Sequence, residues 1–124
     1  MSMNVTFDSS AWIEYFSGME IGQVVRSYID SDDLIYTSTI SLMEVKSKYQ
    51  RENKSWKERI KFIAERSTIV EIDDTLALAA ADFRIENGLH SIDAIIYATS
   101  TLTKSKLVSK DAHFKNLKNV VMLE

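Results

Sequence analysis

The sequence predicts an α/β fold, a three-layer α/β/α sandwich with a central parallel sheet. Short β-capable runs alternate along the chain with segments whose apolar residues recur at helical spacing. Because strands joined through helices form right-handed crossovers, they pair in parallel and the helices cover both faces of the sheet. The 124 residues contain no Pro-rich or Gly/Ser-rich linker, so we expect one domain over residues 1–124.

The first strand is predicted at Asn4–Phe7, directly before Asp8. The apolar residues that follow have helical spacing: Trp12, Tyr15, Phe16 and Met19. A second helix is predicted from residues in the i, i+3, i+4, i+7, i+8 pattern: Ile21, Val24, Val25, Tyr28 and Ile29. The polar cluster Asp30–Asp33 ends this helix, and Leu34–Ser38 is the next predicted strand.

Two further helices are predicted from the capping-box pattern Ser-x-x-Glu. Ser41 and Glu44 open a helix that runs to about Arg51, and Ser55 and Glu58 open the other. The second of these helices has three apolar residues on one face: Trp56, Ile60 and Ile63.

The chain from Thr68 onward is predicted to contain three strands and two helices. Thr68–Ile72 is a β-branched strand, and the helix from Asp74 stops at Gly88, the expected C′ residue. Another helix spans Ser91–Ser100. Two short strands finish the chain, at Lys106–Ser109 and Val120–Leu123, and a small turn or helix lies between them at Ala112–Leu117.

The composition is that of an ordinary water-soluble protein, with 45% hydrophobic and 27% charged residues. The absence of Cys excludes a disulfide scaffold and a thiolate metal site. No basic residue precedes Arg26, and the longest uncharged run after Asp93 is Ala94–Thr103, so we expect a cytoplasmic protein without a membrane segment. Since the net charge is -3, binding to nucleic acid requires a local basic patch.

Four acidic residues are predicted at the carboxyl edge of the sheet, where open α/β sheets bind ligands. Asp8 and Asp111 follow strands, while Glu44 and Asp93 lie in the first turns of helices. Each acid alone has a structural explanation, because carboxylates stabilise helix N-termini. Glu58 sits in an equivalent capping box and is assigned no function. The convergence of four acids from distant parts of the chain is what indicates a site.

Clustered carboxylates need cations or shared protons, because each pair at about 4 Å costs about 4 kcal/mol at an effective dielectric of roughly 20. With no Cys and only His90 and His113, the ligand set is oxygen, which favours Mg²⁺ or Mn²⁺ over Zn²⁺. Such an ion polarises a phosphoryl oxygen and activates a bound water. The four acids therefore indicate metal-dependent chemistry on phosphates.

Four segments of the chain resemble the acidic motifs of PIN domains, in particular of VapC-type toxins from toxin–antitoxin pairs. They are "VTFDSSAWIEYF" from Val5, "SLMEV" from Ser41, "LHSIDAIIYATS" from Leu89 and "LVSKDAHFKNL" from Leu107. The resemblance covers nearly the whole chain. It implies a sheet of order 3-2-1-4-5, a Mg²⁺- or Mn²⁺-dependent endoribonuclease, a homodimer, and a cognate antitoxin that packs on the fold and inserts an Arg among the carboxylates.

The resemblance assigns the catalytic and metal-binding positions to the four acids. Asp8 and Asp93 are expected to anchor the metal. Asp111 and Glu44 are expected to bind it directly or through water, and to help deprotonate the nucleophile for an in-line attack on an RNA phosphodiester.

Two hydroxyl residues are expected to support the acids, and one position departs from the family pattern. Ser10 matches a small hydroxyl residue that orients the first Asp or a metal-bound water, and Ser109 replaces the common Thr of Thr-x-Asp. His113 stands where some members carry a further Asp, which puts a second metal site in doubt. A polar loop residue is the simpler interpretation of both His90 and His113.

A basic segment, residues 46–61, has seven Lys or Arg and two Glu, a net charge of +5. It predicts a surface that contacts RNA phosphates, although a solvated helix face with i, i+4 ion pairs explains the same pattern. The candidate RNA-binding residues are Lys46, Lys54, Lys57 and Lys61, together with Arg84 on a later helix. Arg84 is equally consistent with a surface ion pair.

Two other functions compete with the nuclease. A non-catalytic PIN-like scaffold would bind RNA or a partner without cleaving it, and it ranks lower because all four acids are present. A phosphatase with an Asp nucleophile requires a second acid or Thr where Ser10 stands. A phospho-receiver domain is excluded, since no Asp lies between Asp33 and Asp73.

Overall fold

The computed structural model describes residues 3–124, so Met1 and Ser2 of the predicted domain lie outside the described residues. Within these described residues, five strands form one parallel sheet of order β3-β2-β1-β4-β5, which confirms the predicted order. The strands are β1 (Asn4–Phe7), β2 (Leu34–Ser38), β3 (Thr68–Val70), β4 (Lys106–Ser109) and β5 (Val120–Met122). In the register of the central strands, Val5 lies beside Ile35 and Lys106.

In the part of the chain that the structure describes, six α-helices and one short 3₁₀ turn accompany the sheet. They are α1 (Ser9–Ser17), α2 (Glu20–Ile29), α3 (Thr39–Arg51), α4 (Lys57–Arg66), α5 (Asp74–Asn87), α6 (Ser91–Leu102) and the 3₁₀ turn (Ala112–Phe114). No helix within residues 3–124 is long and apolar enough to cross a membrane.

Two hydrophobic cores lie on the two faces of the sheet, because successive strand residues point to opposite sides. Val108 of β4 belongs to the core that Trp12 and Val25 of α1 and α2 complete. Its neighbour Leu107 belongs to the other core, with Leu76 of α5. This alternation produces the predicted three-layer sandwich.

Both predicted capping boxes are wrong. Ser38 at the end of β2 is the N-cap of α3, and its side chain accepts a hydrogen bond from the Ile40 backbone N–H. Because the strand passes directly into the helix, α3 begins two residues earlier than predicted and Glu44 lies in its second turn. In α4 the cap residue is Trp56, which makes no side-chain capping bond, so Ser55 lies outside the helix.

Several other element ends differ from prediction: α6 runs to Leu102 rather than Ser100, and the 3₁₀ turn stops at Phe114 rather than Leu117. The strand β3 stops at Val70 rather than Ile72, because its partner β2 ends where Ser38 pairs with Val70. The last strand likewise stops at Met122. Gly18 ends α1 in a left-handed conformation, with φ of 70°. Met19 is therefore the cap of α2 rather than part of the α1 face, and it is 66% exposed.

Replacing Gly22 with Ala is expected to destabilise the protein by about 1–3 kcal/mol. Gly22 lies in α2 where that helix crosses α1, and a Cβ there would stand 2.3 Å from the Glu14 carbonyl oxygen. A Gly-to-Ala change inside a helix normally stabilises by up to about 1 kcal/mol, so the expected sign is reversed. Urea unfolding measures it, with exposed Ser27→Ala in the same helix as the control. An increase in stability for Gly22→Ala would contradict the close crossing.

Candidate metal centre

The four predicted acids lie at one edge of the sheet, where β1, β2 and β4 end. Asp8 is the N-cap of α1, directly after β1, and Asp111 is the N-cap of the 3₁₀ turn after β4. Glu44 projects from the second turn of α3, and Asp93 from the first turn of α6. The right-handed crossovers of the parallel sheet bring these four residues together from distant parts of the sequence.

Asp8 is 3% exposed, and hydrogen bonds fix both of its carboxylate oxygens. Oδ1 accepts from the Ser10 hydroxyl at 2.6 Å and from the Ala11 backbone N–H at 2.9 Å. Oδ2 accepts from the Ser109 hydroxyl at 2.5 Å. Ser10 and Ser109, both predicted as supporting residues, therefore both donate to the Asp8 carboxylate.

Ser109 also links Asp8 to Asp111. Its hydroxyl oxygen accepts from the Asp111 backbone N–H at 2.9 Å while its proton goes to Asp8. Ser10 makes a similar connection, because its oxygen accepts from the Lys110 backbone N–H at 2.9 Å. The end of β4 is thereby held against the start of α1 at a fixed distance.

Glu44 has a partner that the sequence did not indicate. The Ser9 hydroxyl donates to Oε1 of Glu44 at 3.0 Å, which joins the start of α1 to α3. The family pattern drew attention to Ser10 alone. The sequence offered one signal for Ser9, its place as a polar residue at the first position of a helix beside a cleft. Polar residues are common at this position in helices without a site.

His113 is another residue of the cleft, besides Ser9, whose contacts the sequence did not indicate. Its Nδ1 lies 3.0 Å from Oδ2 of Asp93 and 3.2 Å from Oδ1 of Asp111. One ligand atom from each of these three residues lies within 4.8 Å of the other two. From the sequence, His113 was interpreted as a polar loop residue. In the structure it lies in the 3₁₀ turn that Asp111 caps, so the side chains of Asp111 and His113 lie beside the same cleft.

Three of the four carboxyl groups have a raised pKa. Burial is the largest cause for Asp8, whose pKa lies above the ordinary value of 3.8 in spite of its hydrogen-bond donors. Burial also raises the pKa of Glu44, and the charges of the other three acids add to the increase. For Asp93 burial again comes first, followed by the charge of Asp111, while His113 opposes the shift. The four acids are thus close enough to act on one another.

The donor set fits a divalent cation. Carboxylate oxygens are the ligands that Mg²⁺ and Mn²⁺ prefer. Repulsion among the acids adds to the burial that raises the pKa values of Asp8, Glu44 and Asp93, and a bound cation would relieve that repulsion. One carboxylate oxygen of Asp93 and one of Asp111 lie beside the ring nitrogen of His113, and one ligand atom from each of these residues lies within 4.8 Å of the other two. Asp8 is more buried than these residues and accepts from three donors.

Each of the four predicted RNA-binding lysines has a partner within the described residues. The Lys46 ammonium lies 4.2 Å from the centre of the Trp56 ring, and that of Lys57 lies 5.8 Å from it. Lys54 pairs with Glu52 at 3.3 Å. Lys61 pairs with Glu65 at 3.9 Å. The solvated-face interpretation therefore accounts for part of the pattern.

Arg84 is exposed near the end of α5 and lines a surface pocket with Gly88 and His90. Within residues 3–124 it forms no ion pair with any of the four acids. Lys110 is the basic residue that stands nearest in sequence to the cleft, and its ammonium is engaged by Glu14 at 2.7 Å.

Several solved structures with the same fold are toxin–antitoxin proteins. A toxin–antitoxin complex from Klebsiella pneumoniae matches with a TM-score of 0.82 and 24% identity, over 97% of this chain and 98% of that one. VapBC2 from Rickettsia felis, bound to a DNA fragment from its promoter, matches with a TM-score of 0.76 and 14% identity, over 97% of each chain. VapC20 from Mycobacterium tuberculosis, a sarcin-ricin loop cleaving toxin, matches with a TM-score of 0.69 and 15% identity, over 94% of this chain and 96% of that one.

The fold and the cleft together define a small α/β domain with an acidic centre at the carboxyl edge of its sheet. The family model of the PIN domain matches residues 5–120, so the chain belongs to the PIN domain family. This confirms the family that the sequence motifs resemble. Comparison with curated protein sequences finds no significant match.

Proposed function

We propose that this protein is a Mg²⁺- or Mn²⁺-dependent endoribonuclease, the toxin of a toxin–antitoxin pair, formed by a single nuclease domain over residues 1–124. The observation that supports it most is the convergence of Asp8, Glu44, Asp93 and Asp111 at one edge of the sheet. Membership of the PIN domain family and the structural similarity to VapC-type toxins support the same function.

The cleft residues divide into metal-facing and positioning groups. Asp93 and Asp111 present oxygens to the cleft and would hold the ion directly. Asp8 is held by three donors, so it keeps few lone pairs for a metal and contributes a fixed negative charge behind the other two. A divalent ion bound there would polarise the scissile phosphate and supply an activated water.

Glu44 is the group best placed to accept a proton from the nucleophile. Its pKa is raised, which brings it closer to the neutral range in which a general base is effective. Only Oε1 receives the Ser9 hydroxyl, so Oε2 retains its capacity to accept. The Ser9 contact also holds the carboxylate in a defined position beside the other three acids.

Cleavage of RNA in the presence and absence of metal tests the proposed function. We expect the purified protein to cut single-stranded RNA with Mn²⁺ or Mg²⁺ and to be inactive with EDTA. RNA binding without cleavage under all metal conditions would favour the non-catalytic scaffold. Hydrolysis of a phosphate monoester without RNA cleavage would favour the phosphatase, which is disfavoured because Ser10 and Ala11 occupy Oδ1 of Asp8.

Replacing three lysines of the basic segment with Gln is expected to reduce the salt dependence of RNA binding. The variant changes Lys54, Lys57 and Lys61. If all three contact phosphates of single-stranded RNA, the slope of log K against log salt should fall in magnitude by about 2. Filter binding in EDTA measures the slope without cleavage.

The matched control for this variant removes the same charge at the opposite, amino edge of the sheet. It changes three other exposed lysines to Gln: Lys104, Lys106 and Lys118. A slope that is unchanged in the first variant, or reduced equally in the two, would reject a phosphate-binding role for residues 46–61.

Three further proposals concern partners and location. A cognate antitoxin is the expected inhibitor, as in the toxin–antitoxin complexes that share the fold. A homodimer would cover exposed apolar residues two turns apart on α5, Leu78 at 70% and Ile85 at 87% exposure. We place the protein in the cytoplasm, where RNA is available. Light scattering of the purified chain, alone and co-expressed with its antitoxin, tests both assemblies.

A further inference from the structure

The geometry of the cleft points to His113 as a direct metal ligand, which gives the site a preference for Mn²⁺ and other first-row transition ions over Mg²⁺. This inference rests on the proposed function in one respect, because it assumes that the acidic cleft binds a divalent ion. It goes further in adding a nitrogen to a ligand set that the sequence predicted to be oxygen alone.

The spacing of the three ligand atoms supports this inference. An octahedral ion with bonds of about 2.1 Å places adjacent ligand atoms about 3.0 Å apart. Nδ1 of His113 lies 3.0 Å from Oδ2 of Asp93 and 3.2 Å from Oδ1 of Asp111. The same nitrogen faces both carboxylates, and all three ligand atoms fall within 4.8 Å of one another.

The position of His113 is fixed by the backbone around it. Oδ1 of Asp111 accepts the backbone N–H of His113 at 2.9 Å, and the Asp111 N–H is held by Ser109 at 2.9 Å. Ser109 in turn donates to Asp8. Three hydrogen bonds therefore connect the backbone of His113 to Asp8, the most buried carboxylate of the cleft, although the His113 side chain is 61% exposed.

A nitrogen ligand changes which ion is preferred. Imidazole binds first-row transition ions well, whereas Mg²⁺ prefers oxygen ligands and keeps several of its waters. His113 should therefore contribute strongly to Mn²⁺ binding and weakly to Mg²⁺ binding. A histidine that only donated a hydrogen bond to the carboxylates would affect both ions alike.

The chain offers a matched control in its second histidine. The His90 ring centre lies 5.9 Å from that of His113, and both residues line a small pocket with Asp93. His90 is the N-cap residue of α6 and is absent from the group of atoms that lie within ligand distance. Replacing His90 therefore changes the same surroundings without removing the proposed ligand.

Calorimetric titration of Mn²⁺ and of Mg²⁺ into the untagged protein tests the inference. In His113→Asn, the Mn²⁺ affinity should fall about 10-fold or more, while the Mg²⁺ affinity should change less than about threefold. His90→Asn should bind both ions as the wild type does. An equal loss for the two ions in His113→Asn, or no loss, would overturn the role of His113.

Electron spin-echo spectroscopy of the Mn²⁺ complex gives a second readout that does not depend on activity. Protein labelled with ¹⁵N-histidine should show a nitrogen coupling that His90→Asn keeps and His113→Asn loses. If the wild type binds Mn²⁺ and shows no nitrogen coupling, the inference fails and the metal-dependent function stands. If the wild type binds neither ion, both fail.

Discussion

Replacing Asp93 with Asn is expected to lower the rate of metal-dependent RNA cleavage by about 100-fold or more. Asp93 shares the cleft with Asp111 and His113, and the substitution removes the negative charge of a group that would hold the metal. An amide of the same shape leaves the α6 helix intact, so the loss would come from the chemistry of the cleft. Single-turnover cleavage of labelled RNA at saturating Mn²⁺ measures the effect.

Without metal, Asp93→Asn is expected to be at least as stable to unfolding as the wild type. Burial and the charge of Asp111 raise the pKa of Asp93, so its ionised form is disfavoured in the folded protein. Neutralising it should leave the free energy of unfolding at pH 7 equal to or higher than that of the wild type. A helix-terminal carboxylate with no other role behaves in the opposite way, because its removal costs about 0.3–1 kcal/mol.

Asp74 provides the matched control for Asp93. It also lies in the first turn of a helix, α5, but it is exposed and apart from the cleft. Asp74→Asn should lower the stability by about 0.3–1 kcal/mol and leave cleavage unchanged. If Asp93→Asn shows this same pattern, Asp93 is a helix-terminal charge and the metal-site assignment is wrong.

Replacing Asp8 with Asn is expected to reduce cleavage by about 100-fold or more and to change how stability depends on pH. Burial raises the pKa of Asp8 above 3.8. As the pH rises from 3.8 through this higher folded-state value, the unfolded chain has already lost a proton that the folded protein still holds. The free energy of unfolding contributed by Asp8 therefore decreases over that window.

The amide that Asp8→Asn introduces has no proton to lose, so the metal-free variant should lack this decrease and should be more stable than the wild type at pH 7. Asn is as good an N-cap as Asp, and its carbonyl can still accept from the Ala11 N–H. Urea unfolding in EDTA from pH 4.5 to 8 measures the difference. A wild type whose stability rises with pH relative to Asp8→Asn would contradict the assigned direction of the pKa shift.

Local patterns were sufficient to predict a parallel sheet and four acids at its carboxyl edge, whereas the order of the strands was predicted from the resemblance to PIN domains. Strand ends such as Phe7 and Ser109 are marked by a change from apolar residues to Asp or Lys, and the parallel topology places such ends together. The alternation of Leu107 and Val108 between the two cores follows from the strand period of two. These features depend on local patterns, which a single sequence contains.

Features that depend on tertiary contacts were missed. The Ser-x-x-Glu pattern at Ser41 predicted a helix start, but the hydrogen bond that caps α3 comes from Ser38, where β2 ends. Glu44 instead accepts a hydrogen bond from the hydroxyl of Ser9, which lies 35 residues earlier in the sequence, in α1. His113 is equally invisible in local patterns, since its contact with Asp93 spans 20 residues and depends on how the 3₁₀ turn packs beside α6.

The central claim is that Asp8, Glu44, Asp93 and Asp111 form a centre where one bound divalent ion enables RNA cleavage. The most direct test measures RNA cleavage and Mn²⁺ binding on the same protein across the same Mn²⁺ concentrations. We predict that the concentration for half-maximal cleavage equals the dissociation constant from calorimetry, and that Asp93→Asn loses both signals. Full cleavage in EDTA, or undiminished cleavage by Asp93→Asn at Mn²⁺ concentrations where it binds no ion, would contradict the claim.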